Sequence, residues 1–397
     1  MVIGNGVELE NTMLLENRIP TTHVGSLIRP PELLRYIAAI EEGVAVDRAA
    51  FDAQLRQSVA DVVTRQKDAG IDIVSDGEFG KFRTWSAYVL ERLGNIEEQD
   101  IAEPRGAGRD QSLFPEFYAE YFPSQHLPKR GVPIATGPIY YRGQAAIAHD
   151  VEVFRSALQQ VDALGFVPLV APASAMPRFR LGHYNSEEEF LFGLAQALRE
   201  EYRAVIDAGL ILQVDDAFLP YMFDVAFADR PLEDYRKWAS IRVAALNHAL
   251  DGLPQDRVRY HICWGSFATP HVSDIEIKHI IDLVLTVKAG AYCIEMANPR
   301  HEHEWRIWES VKLPEGKKLV PGVVSHATNI VEHPELVAQL LVRLARLVGR
   351  NNLMAGTDCG FAQATHVRRV HPSIQWAKLE ALAVGAGLAT RELWGSA

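Results

Sequence analysis

Short runs of Val, Ile and Leu alternate with longer amphipathic stretches along nearly all of this 397-residue chain, and no other feature constrains the fold as much. Candidate strands are Thr21–Ser26, Ile71–Ser75, Pro133–Gly137, Val167–Ala171, Leu210–Asp215, Arg259–Trp264, Ala291–Met296, Leu319–Val324 and Leu353–Thr357. The spacing predicts helices over Ala49–Ala69, Asp150–Leu164, Ser186–Ala208, Leu232–Leu250, Ser273–Lys288 and Pro334–Val348. Ser186 and Ser273 are suitable N-caps, and the acids after them suit the positive end of a helix dipole. Several helices stop at a glycine (Gly70, Gly165, Gly209, Gly290) and a strand follows at once, as helix-to-strand turns prefer. The repeating unit is therefore βα.

Nine strands are one more than a (β/α)8 TIM barrel needs. Pro133–Gly137 is the surplus one, because no long helix precedes it. The stretch Glu97–Lys129 before it is irregular and rich in Pro, Gly and aromatics, so residues 97–131 read as an insertion, of a length usually reserved for covering or functional loops. An open doubly wound sheet is the rival fold, but it would come with a Gly-rich dinucleotide loop, and neither that nor a Walker pattern occurs. A single-domain α/β (β/α)8 barrel is expected over residues 19–397, after an N-terminal extension, 1–18.

Composition excludes several function classes. A net charge of -11 offers no electrostatic footprint for nucleic acid or an anionic membrane. No apolar run reaches the 18 residues of a membrane span, and the first nineteen residues lack the pattern of a signal peptide. Three cysteines, an odd number, read as reduced thiols and a cytoplasmic location rather than a disulfide framework.

In such a barrel, chemistry belongs at the C-terminal ends of the strands. Those ends carry Gly25-Ser26, Asp76-Gly77-Glu78, Asp215-Asp216, His261 with Cys263, Glu295, His326 and Asp358-Cys359. His261 and Cys263 are two apart on a strand and so face the same way. With Glu295 and Cys359 they offer nitrogen, sulfur and carboxylate donors of the kind that suit Zn²⁺. Cys293, one layer deeper, reads as a small buried thiol. Glu78 and Asp215 are open to three readings: an ammonium site, an acid–base pair or a magnesium site, with helix capping as the bland alternative. His301-Glu302-His303-Glu304 reads as a solvated helix face, not a metal cluster.

These residues together resemble the catalytic, C-terminal barrel of the cobalamin-independent methionine synthases. The resemblance rests on Thr21-Thr22-His23-Val24-Gly25-Ser26, Asp76-Gly77-Glu78, Leu212-Gln213-Val214-Asp215, His261-Ile262-Cys263, Ile294-Glu295, Pro321-Gly322-Val323 and Asp358-Cys359-Gly360, in the family's order. It implies zinc held by His261, Cys263, Glu295 and Cys359, and a thiol substrate bound to it. It further implies that Glu78 and Asp215 hold the amino group of homocysteine, with Ser26 near the carboxylate. The family's long enzymes carry a second, N-terminal barrel with no counterpart in the matched region, so folate contacts from such a barrel are not expected; Phe179 is a rough candidate for flanking a pterin. The region from Cys263-Trp264-Gly265 to Asn298-Pro299-Arg300-His301-Glu302-His303-Glu304 is also similar to a shorter branch that includes the epoxyalkane:coenzyme M transferases.

The expected activity is zinc-dependent transfer of a methyl group, from a 5-methyltetrahydrofolate-type or other donor, to homocysteine. His326 sits at a suitable strand end for the proton donor, or equally for an outer hydrogen-bonding role. Addition of a different thiol, such as coenzyme M, to another alkyl electrophile is the alternative, with Lys81, Arg83 and Arg178 available for a sulfonate, although isolated basic residues near a loop usually face solvent. A non-catalytic, zinc-stabilised binding protein is a third reading. A zinc hydrolase is disfavoured, since hydrolytic sites seldom combine two cysteines with a carboxylate. The expected partners are a small thiol and an alkyl donor, with homo-oligomerisation left open. Metal analysis tests the ligand set: Cys359→Ser and His261→Ala are expected to lose zinc and Cys293→Ser to keep it, and loss of zinc from Cys293→Ser would refute the assignment.

Overall fold

A computed structural model describes residues 17–100, 108–124, 131–365 and 367–395. The expected N-terminal extension lies, up to residue 16, outside the described residues, as do parts of the expected insertion. In chain order the strands are β1 (Ile73–Val74), β2 (Leu93–Gln99), β3 (Val132–Tyr141), β4 (Leu164–Val170), β5 (Ile211–Asp215), β6 (Val258–Ile262), β7 (Ala291–Ile294), β8 (Lys318–Val324) and β9 (Gly356–Thr357).

Seven of these strands form one parallel sheet in the order β1-β4-β5-β6-β7-β8-β9. Thr21 and Thr22 close it: Thr21 bridges to Ala355 and Thr22 to Ile73, both in parallel. The Thr22 N–H donates to the Ala355 carbonyl at 2.9 Å, and the Ile73 N–H donates to the Thr21 carbonyl at 3.1 Å. Eight parallel staves in a ring make the expected (β/α)8 barrel. The surplus strand, within β3, pairs antiparallel with β2 as a two-stranded hairpin apart from the barrel. Its alternating buried and exposed residues are those of a one-face sheet.

The helices Arg48–Asp68, Glu187–Asp207, Leu232–Ala249 and Pro334–Val348 stand where the periodicity places them. Ser186 caps the second of these by accepting the Glu189 N–H at 3.1 Å. Two expectations need correction. The helix expected at Asp150–Leu164 runs Gln144–Leu158, because Gly143 opens it ahead of the helix-forming run Gln144-Ala145-Ala146. Ser273–Lys288 is broken into the short turns Ile277–His279 and Ile281–Val284. Side chains from elsewhere take backbone groups of this stretch: Asp110 accepts the Ser273 N–H at 2.8 Å, and Glu304 accepts the Ile277 N–H at 2.6 Å and the Trp264 indole donates to the Ile275 carbonyl at 2.7 Å, both groups that a helix there would use. Beyond the last expected element, Pro372–Trp394 forms a helix whose Gly385 lies against Val337 of Pro334–Val348.

Gln66, fully buried on the helix Arg48–Asp68, ties that helix to two strand ends. Its amide oxygen accepts from the Ser75 N–H at 2.9 Å and from His23 Nε2 at 2.6 Å, and its amide nitrogen donates to the Ser75 carbonyl at 2.8 Å. His23 Nδ1 accepts the Gly25 N–H at 3.1 Å, which makes the ring neutral with its proton on Nε2. Burial pushes its pKa from 6.5 down to about 4. The unfolded chain therefore binds this proton first as pH falls, so stability present above pH 6.5 is lost between about 6.5 and 4. Urea unfolding at pH 7 and 4.5 is expected to show a His23-dependent loss of about 3 kcal/mol. His23→Gln should flatten this pH dependence, and an unchanged slope would refute the assignment.

Candidate metal and thiol site

Arg259, His261 and Cys263 follow one another at every second position of β6 and its end, and all are buried. His261 lies beside Asp215 on β5 and Cys293 on β7 in the strand register. Cys359 comes just past β9, and its sulfur stands 3.8 Å from that of Cys263. The donor atoms of His261, Cys263 and Cys359 all lie within 4.8 Å of one another. Two sulfurs bound about 2.3 Å from one tetrahedral Zn²⁺ would stand about 3.8 Å apart, so the spacing fits that ion. Neither nitrogen of the buried His261 ring has a hydrogen-bond partner of normal geometry. An imidazole buried without a partner fits a ligand waiting for its cation.

The two sulfurs stand within hydrogen-bonding reach of each other. The Cys263 S–H and the His261 ring hold Cys359 well below the usual thiol range, and Cys359 in turn pushes Cys263 up. Burial lowers His261, but Cys359 and Asp215 together outweigh it and the net shift is upward.

Glu295 stands in an adjoining group with His326 and Asp358, whose donor atoms also lie within 4.8 Å of one another. One Glu295 oxygen accepts the Trp264 N–H at 3.2 Å and the other the Asn298 amide at 2.6 Å. Burial and the Asp358 charge push the Glu295 pKa well up, and burial raises Asp358 to about 7. Two carboxylates crowded in a dry space call for a positive partner, which again fits a cation. The donors thus form two adjoining sets, with three of the four expected ligands in one and Glu295 in the other. His326 is buried and both its nitrogens are without partners. Burial lowers its pKa, against the opposing pull of Cys359. Cys293 packs with Ala291 and Val320, outside both groups.

Ser26, Glu78 and Asp215 are likewise buried at strand ends. The Ser26 hydroxyl accepts the Ala362 N–H at 3.3 Å, three residues past Cys359. Asp215 accepts from Gln213 at 2.8 Å, and burial raises its pKa to about 7. Glu78 already has an internal cation: Lys81 Nζ lies 3.0 Å away and also donates to the Pro168 carbonyl at 2.5 Å. Lys81 is therefore buried, against the expectation of a solvent-facing residue, because the turn that starts at Glu78 (φ 60°) folds it back. Arg83 pairs with Glu98, and Arg178 lines a surface hollow with Phe179 and Glu187. One face of Phe179 is stacked on Phe190, with the centroids 3.9 Å apart.

The reading of His301–Glu304 as a solvated face holds for Glu302 and His303 but fails for His301 and Glu304, which are buried. His301 bonds to Glu304 at 2.9 Å and to Asp274 at 3.0 Å, and stacks on Trp264 at 4.0 Å. These acids overcome burial and raise its pKa to about 9. The motif spacing hid this, since Asp274 is 27 residues away in the chain. Asp358 was also missed as a site member: its Oδ1 accepts the Met296 and Ala297 N–H groups at 2.8 and 2.7 Å, fixing the turn after Glu295. Its place directly before Cys359 was the available signal.

A family model described as "Cobalamin-independent synthase, Catalytic domain" matches residues 170–378. The chain belongs to this family. Within it, the chain is 23% identical to a methionine synthase of Thermococcus kodakarensis over 94% of each protein. It is 22% identical to a 2-hydroxypropyl-CoM lyase of Xanthobacter autotrophicus, over 86% of this chain and 89% of the relative. Its fold is similar to that of a B12-independent methionine synthase from Shewanella sp. W3-18-1, solved in complex with selenomethionine, with TM-score 0.71 and 21% identity over 96% of this chain and 100% of that one.

Gly360 has no room for a side chain, since an added Cβ would lie 2.0 Å from Ser26 Oγ and 3.1 Å from the Ser26 nitrogen. Gly360→Ala is expected to cost roughly 1–3 kcal/mol in denaturant unfolding. Ser26→Ala in the same chain should recover part of that loss, and strict additivity of the two changes would refute the contact.

Proposed function

We propose that this chain is a zinc-dependent thiol S-alkyltransferase, in the first place one that methylates homocysteine to methionine from a folate-type or other methyl donor. The observation that carries the reading is the donor set: an unpartnered, buried His261 ring against two thiols 3.8 Å apart, with the Glu295 carboxylate in the adjoining group. The methionine synthase relative and the motifs of the family support it. The relative named as a 2-hydroxypropyl-CoM lyase favours a second reading, in which a different thiol meets a different alkyl electrophile.

Zinc held by His261, Cys263, Glu295 and Cys359 would supply a Lewis acid that keeps a substrate thiol deprotonated near neutral pH. Of these residues Glu295 is the one suited to yield to the thiol, because Trp264 and Asn298 already anchor both its oxygens. Ser26, Glu78 and Asp215, all buried at strand ends, are the residues assigned to orient the amino-acid end of the thiol. The reaction balances as R–SH + CH₃–X → R–S–CH₃ + HX: the thiol proton leaves on binding, and one proton returns to the leaving group X. His326 is buried beside Glu295 and Asp358, and its ring is assigned to take up the thiol proton and, as the imidazolium, to pass it on to X.

X-ray absorption at the zinc edge of the metal-loaded protein tests this. Homocysteine, and not coenzyme M, is expected to add one sulfur neighbour to the metal. A gain with coenzyme M alone would move the assignment to the second reading. No change with any thiol would leave a zinc-stabilised binding protein and refute the alkyltransferase.

A further inference from the structure

Among the described residues, four charged groups stand in a row beside Trp264: His271, Asp274, His301 and Glu304. Asp274 Oδ2 accepts from His271 Nδ1 at 2.8 Å and from His301 Nε2 at 3.0 Å, and Glu304 Oε2 accepts from His301 Nδ1 at 2.9 Å. A carboxylate at each of its nitrogens makes both of them N–H donors, so the His301 ring is an imidazolium.

His301 touches both residues that anchor Glu295. Its ring lies on that of Trp264, with the centroids 4.0 Å apart and the planes 23° from parallel, and the Trp264 N–H donates to one Glu295 oxygen. Its backbone N–H donates to Asn298 Oδ1 at 3.1 Å, as does the Arg300 N–H at 2.9 Å. The Asn298 amide is thereby turned so that its nitrogen meets the other Glu295 oxygen. Charge acts in the same sense: burial and Asp358 disfavour the Glu295 carboxylate, and His301 opposes them. The contrast with His261 is plain, since neither nitrogen of that ring has a partner. Glu295 alone of the four donors has a second place prepared for its charge.

We propose that His301 is a positioning residue for ligand exchange: through Trp264 and Asn298 it holds Glu295 as a carboxylate off the metal, so that a substrate thiol takes its place. This deepens the thiol-alkyltransferase reading and rests on it. Glu295 gives up its bond to the cation, the thiol sulfur forms one in its stead, and the thiol proton passes to His326. With a neutral group at position 301, the cation becomes the better partner for Glu295 and the carboxylate is harder to displace.

The test uses zinc-loaded protein, with homocysteine binding by calorimetry, zinc retention against a chelator, and added sulfur at the zinc edge as the check on mode. His301→Phe keeps a ring on Trp264 and the backbone N–H but removes the charge. It is expected to bind homocysteine about tenfold more weakly while holding zinc at least as firmly as the wild type. Asp274→Asn, which keeps the His301 ring and removes one of its two acids, should shift both measurements the same way by a smaller factor. In a Glu295→Ala background, His301→Phe should weaken homocysteine no further. Loss of zinc and homocysteine in equal measure, as a merely structural role would give, overturns the proposal. So does unchanged homocysteine binding in both variants, or an undiminished effect of His301→Phe without Glu295, and in each case the alkyltransferase stands. If no thiol adds sulfur at the metal of the wild-type protein, the parent reading falls and takes this one with it.

Discussion

The Arg259 guanidinium is the interaction on which the barrel's interior depends. It is buried inside the ring of strands, where it donates to Thr22 Oγ1 and the His23 carbonyl, both at 2.9 Å, and to Gln213 Oε1 at 2.6 Å. Thr21 and Thr22 join the sheet by isolated bridges alone, the thinnest stave of the eight. A charged side chain from the opposite part of the ring reaches across to hold it. The same contacts orient Gln213, whose amide nitrogen donates to Asp215 at 2.8 Å and to the Val24 carbonyl. Closure of the fold and placement of a site carboxylate thus share one cation, which stacks over Phe166 at 4.2 Å.

Above that layer the interior changes character step by step. Asp215, His261 and Cys293 stand side by side in the strand register, and Cys263, Glu295 and Cys359 follow at the mouth. These groups are costly to bury alone. Around them a rigid surround limits relaxation. Asp358 fixes the turn after Glu295, and Trp264 is held by Ile275, His301 and Glu295 together. His301 is itself held between Glu304 and Asp274. The donors are thus held by well-anchored turns, and both imidazoles among them are left without a partner in the space between.

Much of this was legible because strand ends are read by position. His261, Cys263, Glu295 and Cys359 each terminate an apolar run, and a barrel gathers such ends at one face. The surplus strand Pro133–Gly137 was legible for the complementary reason, that no helix leads into it. What escaped was set by distant partners. The helix expected at Ser273–Lys288 was undone by Asp110, Glu304 and Trp264, none of them local to it. The burial of Lys81 follows from a positive φ at Glu78, which sequence patterns do not encode for a non-glycine residue. His301 was hidden because alternation of charge along a helix is ordinarily a solvent signature.

Asp358-Cys359-Gly360 serves three separate neighbours with three consecutive residues. Asp358 grips the turn after β7, Cys359 meets Cys263 after β6, and Gly360 gives way to Ser26 beyond the first stave. The triplet is thus a junction where three otherwise independent loops are indexed against one another. Its length is as constrained as its composition: one residue added or removed there would displace all three loops together.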